Sequence, residues 1–103
     1  MLEHISFRGN DLTGTIPSQL ARLSHLEMLW LSTNVLSGTI PSEIGKLEKL
    51  KYLVLSGNNL SGSISSQLFD FTKMIELKLR NNRLTGSIPT FIGQLDKLDR
   101  RKW

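Results

Sequence analysis

Cysteine is absent from this 103-residue chain, which excludes a disulfide framework and any thiolate-based metal site. Histidine is nearly absent: only His4 and His25 occur, and no neighbour in sequence completes a recognisable ligand set around either, so no metal and no cofactor is expected. No apolar run approaches the roughly 18 residues of a membrane span, so contact with a membrane would need a region outside these residues. The opening Met1-Leu2-Glu3-His4-Ile5 lacks the basic start and apolar core of a secretory leader, so the chain is read as carrying no address of its own. Paired catalytic groups are missing too. The carboxylates Glu3, Asp11, Glu27, Glu43, Glu48, Asp70, Glu76, Asp96 and Asp99 are scattered, and no Ser-His-Asp or Cys-His set can be assembled. An enzyme is not expected.

The charge is less basic than it looks. Arg100, Arg101 and Lys102 cluster at the end, and without these three cations the net charge of +4 falls to +1. That leaves no basic patch of the kind that binds nucleic acid. At 39% hydrophobic and 21% charged residues, the composition is that of an ordinary folded domain.

What the chain has in abundance is repetition. Asn10, Asn34, Asn58 and Asn82 stand 24 residues apart, as do Gly14, Gly38, Gly62 and Gly86, and Ile16, Ile40, Ile64 and Ile88. Further apolar columns keep the same step: Leu12, Leu36, Leu60, Leu84; Leu20, Ile44, Leu68, Ile92; Leu23, Leu47, Phe71, Leu95. The register divides residues 1–103, taken as one domain, into repeats 2–25, 26–49, 50–73 and 74–97, with an incomplete fifth from 98. Each copy opens on an alternating run: Ile5-Ser6-Phe7, Leu29-Trp30-Leu31, Leu53-Val54-Leu55, Leu77-Lys78-Leu79. Period-two alternation marks a strand with one buried and one exposed face. One strand this short cannot bury its face alone, so the copies must stack into a parallel sheet over a shared core. The return path is too short for a long helix, and turns or a single helical turn are expected around Ser18–Arg22 and its equivalents.

The asparagine column has a structural reason. Its amide offers an acceptor and two donors, and backbone groups that leave the sheet at each turn need partners. Asn10, Asn34, Asn58 and Asn82 are therefore read as a ladder joining successive turns, not as a chemical site.

The unit Leu-x-x-Leu-x-Leu-x-x-Asn-x-Leu-[Ser/Thr]-Gly-[Ser/Thr]-Ile-Pro, complete from Leu26 to Pro41, resembles the plant-specific class of leucine-rich repeat over residues 2–98. That class is typical of plant receptor-like kinase ectodomains, receptor-like proteins and polygalacturonase-inhibiting proteins. The resemblance implies a right-handed curved solenoid with a concave parallel sheet, a second short strand near the Gly-x-Ile segment, and an extracellular role in recognition. The chain departs from the pattern in three ways. Ser65 replaces the proline of Pro17, Pro41 and Pro89, and Phe69 replaces the glycine of Gly45 and Gly93. The cysteine-bearing caps usual in such proteins are missing. The fifth copy places Arg101 and Trp103 where inward strand residues belong, so the strand is not expected to continue. The chain reads as an uncapped piece, prone to self-association through its ends, and no kinase motif occurs in it.

If the inward strand residues hold the core, the outward ones form three rows on the concave face: His4, Met28, Tyr52, Glu76; Ser6, Trp30, Val54, Lys78; Arg8, Ser32, Ser56, Arg80. Met28, Trp30, Tyr52 and Val54 then make an apolar centre flanked by Arg8, Glu76, Lys78 and Arg80, the composition of a recognition patch for a protein, peptide or glycan. The plainer reading is that strands favour aromatics wherever they occur. Asn59-Leu60-Ser61 is the one N-glycosylation sequon. Hydroxyl columns (Thr13, Ser37, Ser61, Thr85; Thr15, Thr39, Ser63, Ser87; Ser18, Ser42, Ser66, Thr90) raise ice binding as an alternative, since some plant antifreeze proteins look like this family; local backbone bonding also explains them.

Overall fold

The computed structural model describes residues 2–64 and 74–85. Four short strands, β1 (His4–Ser6), β3 (Met28–Trp30), β5 (Tyr52–Val54) and β7 (Glu76–Lys78), form one parallel sheet in the order β1-β3-β5-β7. The others, β2 (Thr13–Thr15), β4 (Val35–Gly38), β6 (Asn59–Ser63) and β8 (Arg83–Thr85), form a second parallel sheet in the order β2-β4-β6-β8. Between them the chain returns through 3-10 turns at Ser18–Arg22 and Ser42–Lys46, where a helical turn was expected. Pro17 and Pro41 precede these turns in extended conformation, a backbone state that proline's fixed φ favours. The molecule is a leucine-rich-repeat solenoid.

In the first sheet the lateral partners are 24 residues apart: His4, Met28, Tyr52 and Glu76 form one row. The second sheet is sheared. There Thr13 pairs with Val35, Ser37 with Asn59, and Ser61 with Arg83, a step of 22 residues. The hydroxyl columns read at a step of 24 are therefore not lateral neighbours. Thr13 lies beside an apolar Val35, Ser37 beside an amide and Ser61 beside a cation.

The core lies between the sheets and the 3-10 turns. Leu26, Leu29, Leu47, Leu50 and Leu60 are completely buried, and Ile16, Ile40 and Ile44 pack into the same cluster. Burial grows inward from the first turn. Leu31, Leu55 and Leu79 are 5–6% exposed or less, while Phe7, at the matching position, is 50% exposed. An inward position was expected for Phe7; β1 is an edge strand, so the ring borders the core's apolar residues but keeps half of its surface exposed. Behind it Ile5, Leu12, Leu20, Leu29 and Leu36 line an apolar cleft of about 250 Å³.

Asparagine side chains bridge successive turns. Asn34 Oδ1 accepts from the N–H groups of Asn10 (2.9 Å) and Leu12 (3.0 Å), while its Nδ2 donates to the carbonyls of Phe7 and Leu31. Asn58 Oδ1 accepts from Leu36 N–H at 3.1 Å, and Asn82 Oδ1 from Leu60 N–H at 3.0 Å. Asn10 is exposed and donates to the Arg8 carbonyl at 3.1 Å. The residue before each ladder asparagine has a left-handed backbone: Gly9, Thr33, Gly57 and Asn81 all have φ between 58° and 72°. That turn drops the next side chain inward. Expectations for Ser65, Phe69, the later hydroxyls and the fifth copy from Leu98 fall outside the described residues.

Candidate recognition surface

Alternation along β3 buries Leu29 completely and turns Met28 and Trp30 outward, where both are half-buried by neighbours on adjacent strands. Adjacent strands run about 4.8 Å apart, so each row of the concave face is a continuous ribbon of side chains. One row reads His4, Met28, Tyr52, Glu76 and the next Ser6, Trp30, Val54, Lys78. The third continues beyond the strands: Gly9 N–H donates to the Ser32 carbonyl (3.0 Å), Thr33 N–H to Ser56 (2.9 Å) and Gly57 N–H to Arg80 (3.0 Å).

Trp30 is held from three sides. Its indole Nε1 donates to Ser32 Oγ at 2.6 Å, and the Arg8 guanidinium carbon lies 5.8 Å from the ring centroid. That separation is within cation–π range. On its third side stands Val54, which departs from the expected exposed patch: it is only 3% exposed. Flanked in register by Trp30 and Lys78, two much larger side chains, it fills the floor between them. Ser32, 5% exposed, is likewise part of the support. The accessible surface is therefore Met28, Trp30 and Tyr52 with Arg8, Glu76, Lys78 and Arg80 around them. Lys78 Nζ lies 3.1 Å from Glu76 Oε1 along the same strand. Arg80 and Lys78, with Ser56 and Asn81, line a cleft of about 420 Å³ at the strand ends.

A fourth row, at the strand starts, was not among the sequence-derived site residues: Glu3, Glu27, Lys51 and Ile75. Its signal was present in the same 24-residue step, two places ahead of the alternating run. Glu27 Oε1 and Lys51 Nζ form an ion pair of 2.8 Å. The hydrogen bond from Lys51, then its charge, holds the Glu27 carboxyl below its ordinary value, and the reciprocal bond raises the Lys51 ammonium. The structure also brings Glu3, His4 and Glu27 together, with candidate ligand atoms within 4.8 Å of one another, a grouping that spans two repeats. A cation arriving there would compete with Lys51 for Glu27.

The leucine-rich repeat family profile matches residues 1–60, and a second leucine-rich repeat profile matches 73–95. The chain belongs to the leucine-rich repeat family. No curated protein matches it. Among solved structures, the leucine-rich repeat chain resembles PEPR1-AtPEP1 with a TM-score of 0.90 and 41% identity, over 94% of this chain and 14% of that one. It resembles the ectodomain of the receptor kinase GASSHO1/SCHENGEN3 from Arabidopsis thaliana, in complex with CASPARIAN STRIP INTEGRITY FACTOR 2, at 0.91 and 39%, over 95% of this chain and 12% of that one. A plant ice-binding protein matches at 0.87 and 39%, over 91% of this chain and 31% of that one. The chain thus spans 12–31% of the length of these three proteins, and its repeats resemble those of plant receptor ectodomains and of the ice-binding protein alike.

Proposed function

We propose that the concave sheet is a non-catalytic recognition surface for a peptide or protein ligand, within the ectodomain of a plant leucine-rich-repeat receptor kinase. The observation that carries this is the fixed Trp30. A ring already bonded to Ser32, faced by Arg8 and floored by Val54 loses little freedom when a ligand packs on it. Preorganised aromatic anchors of this kind concentrate binding energy. Support also comes from neighbours solved as complexes: PEPR1-AtPEP1, GASSHO1/SCHENGEN3 with CASPARIAN STRIP INTEGRITY FACTOR 2, and the Arabidopsis HAESA ectodomain with an IDA peptide hormone ligand. An extracellular location follows from the same reading, and the open apolar end around Phe7 makes self-association an expected property of these residues in isolation.

Two alternatives share the fold. A secreted inhibitor similar to polygalacturonase-inhibiting proteins would use the same concave face on a protein ligand. Ice binding is favoured by the ice-binding neighbour, but needs a regular hydroxyl face. The shear of the second sheet works against it, because Val35, Asn59 and Arg83 interrupt the hydroxyl rows. The test is selection from a displayed peptide library on the immobilised chain, alongside a thermal-hysteresis assay. The reading expects peptides that protect Trp30 from solvent quenchers and no hysteresis. Hysteresis without any Trp30-directed peptide would replace it with the ice-binding reading.

A further inference from the structure

Asn59 is the one asparagine in the chain with a hydroxyl two residues on, and the fold treats it unlike its neighbour Asn58. Asn58 is 7% exposed and its amide is committed to the Leu31 and Leu55 carbonyls. Asn59 opens β6 in an exposed position, and among the described residues its amide makes no hydrogen bond. Alternation within β6 sends Leu60 fully into the core and turns Asn59 to the opposite side. The equivalent positions in the other turns, Asp11, Val35 and Arg83, are exposed as well. An acid, an aliphatic and a base at one position show that the solenoid sets no limit on what projects there.

We propose that Asn59 is an N-glycosylation site and that its oligosaccharide closes the second sheet to broad contacts, leaving the concave sheet open to ligands. The donor is a lipid-diphosphate-linked oligosaccharide. A bond forms between C1 of its first sugar and Asn59 Nδ2 while the C1–O bond to phosphate breaks. The lipid diphosphate leaves, and the amide nitrogen gives up one proton to a base of the transferase. The modification requires the secretory route, and so rests on the extracellular part of the proposed function; it does not depend on what the concave face binds.

The position decides the consequence. Asn59 pairs in register with Ser37 on β4, and β6 is an inner strand of a sheet whose four strands span only about 15 Å at 4.8 Å spacing. A branched oligosaccharide rooted there lies over its neighbours on both sides. The concave rows are on the other sheet and stay clear.

Because the chain has no cysteine, single Cys reporters are unambiguous. The full chain is secreted from a eukaryotic host behind a leader as wild type, Asn59→Gln and Ser61→Ala, and weighed by mass spectrometry. One oligosaccharide is expected on the wild type, removable by peptide-N-glycosidase and missing from both variants; unmodified wild-type protein overturns the site. Ser37→Cys and Ser6→Cys forms are then labelled with a polyethylene glycol maleimide before and after deglycosylation. Removing the sugar is expected to speed labelling at position 37 several-fold and leave position 6 unchanged. Equal rates at position 37 in both forms, or an equal gain at position 6, overturn the shielding.

Discussion

Replacing Asn58 by alanine removes one rung of the ladder, and the structure says which loss matters. Two of its partners keep an alternative. The Leu31 carbonyl also accepts from Asn34 Nδ2 at 2.9 Å, and the Leu55 carbonyl also accepts from Asn82 Nδ2 at 3.0 Å. The Leu36 N–H has no such reserve: its bond to Asn58 Oδ1 is 3.1 Å long, and Leu36 is 5% exposed. A buried donor left without an acceptor costs about 1–3 kcal/mol, with carbonyl bonds that are doubled elsewhere adding less. Asn58→Ala is therefore expected to destabilise by about 2 kcal/mol, which lowers Tm by roughly 8–16 °C in a domain of this size. Asn59→Ala, one residue away and exposed, should stay within about 0.5 kcal/mol of wild type. Asn10→Ala should resemble Asn59→Ala, because Asn10 is exposed and serves one local carbonyl. Thermal unfolding followed by circular dichroism measures all three. Equal losses at positions 58 and 59 would refute the ladder as the source of turn-to-turn order.

Gly57→Ala and Gly9→Ala share a left-handed φ, but a Cβ at Gly57 would meet Thr33 N at 3.3 Å while one at Gly9 meets nothing within 4 Å. Both should destabilise by about 1 kcal/mol from strain, with Gly57→Ala the worse of the two; the reverse order in denaturant titrations would show the turns are not stacked as described. Phe7→Gln, at the half-exposed ring over the open end, should reduce concentration-dependent association in sedimentation velocity without lowering Tm, whereas unchanged association would place the contact elsewhere. The Glu27 carboxyl is held below its ordinary value of 4.5, so its pair with Lys51 stabilises above that pH and is lost as pH falls through the lowered value. Acid should therefore cost Glu27→Gln slightly less stability than wild type in thermal unfolding, a small difference because water screens an exposed pair.

The repeat made much of the fold legible. A 24-residue step in asparagine, leucine and glycine dictates a stacked sheet, and the first sheet follows that step residue for residue. The second sheet does not. Its backbone pairing is set by the turn geometry around the ladder, which shifts partners by two residues, and no side-chain column records that shift. The concave rows were legible from alternation alone, yet Val54 was misplaced as accessible because burial there depends on the size of Trp30 and Lys78 beside it. The support of Trp30 by Ser32 joins residues two apart on one face, a contact that alternation permits but does not announce. Glu3, His4 and Glu27 converge because adjacent turns bring residues 24 apart side by side, and the trio spans two repeats rather than one motif.

Recognition by the concave sheet is tested most directly by titrating one library-selected peptide into wild type, Trp30→Ala and the triple Thr15→Val, Thr39→Val, Ser63→Val by calorimetry. Trp30→Ala is expected to weaken binding by about 2 kcal/mol, as truncated anchors do, with its fold intact by circular dichroism. The triple should bind as wild type, since its changes lie outside the concave sheet. Full affinity in Trp30→Ala, with binding lost in the triple, would contradict the account.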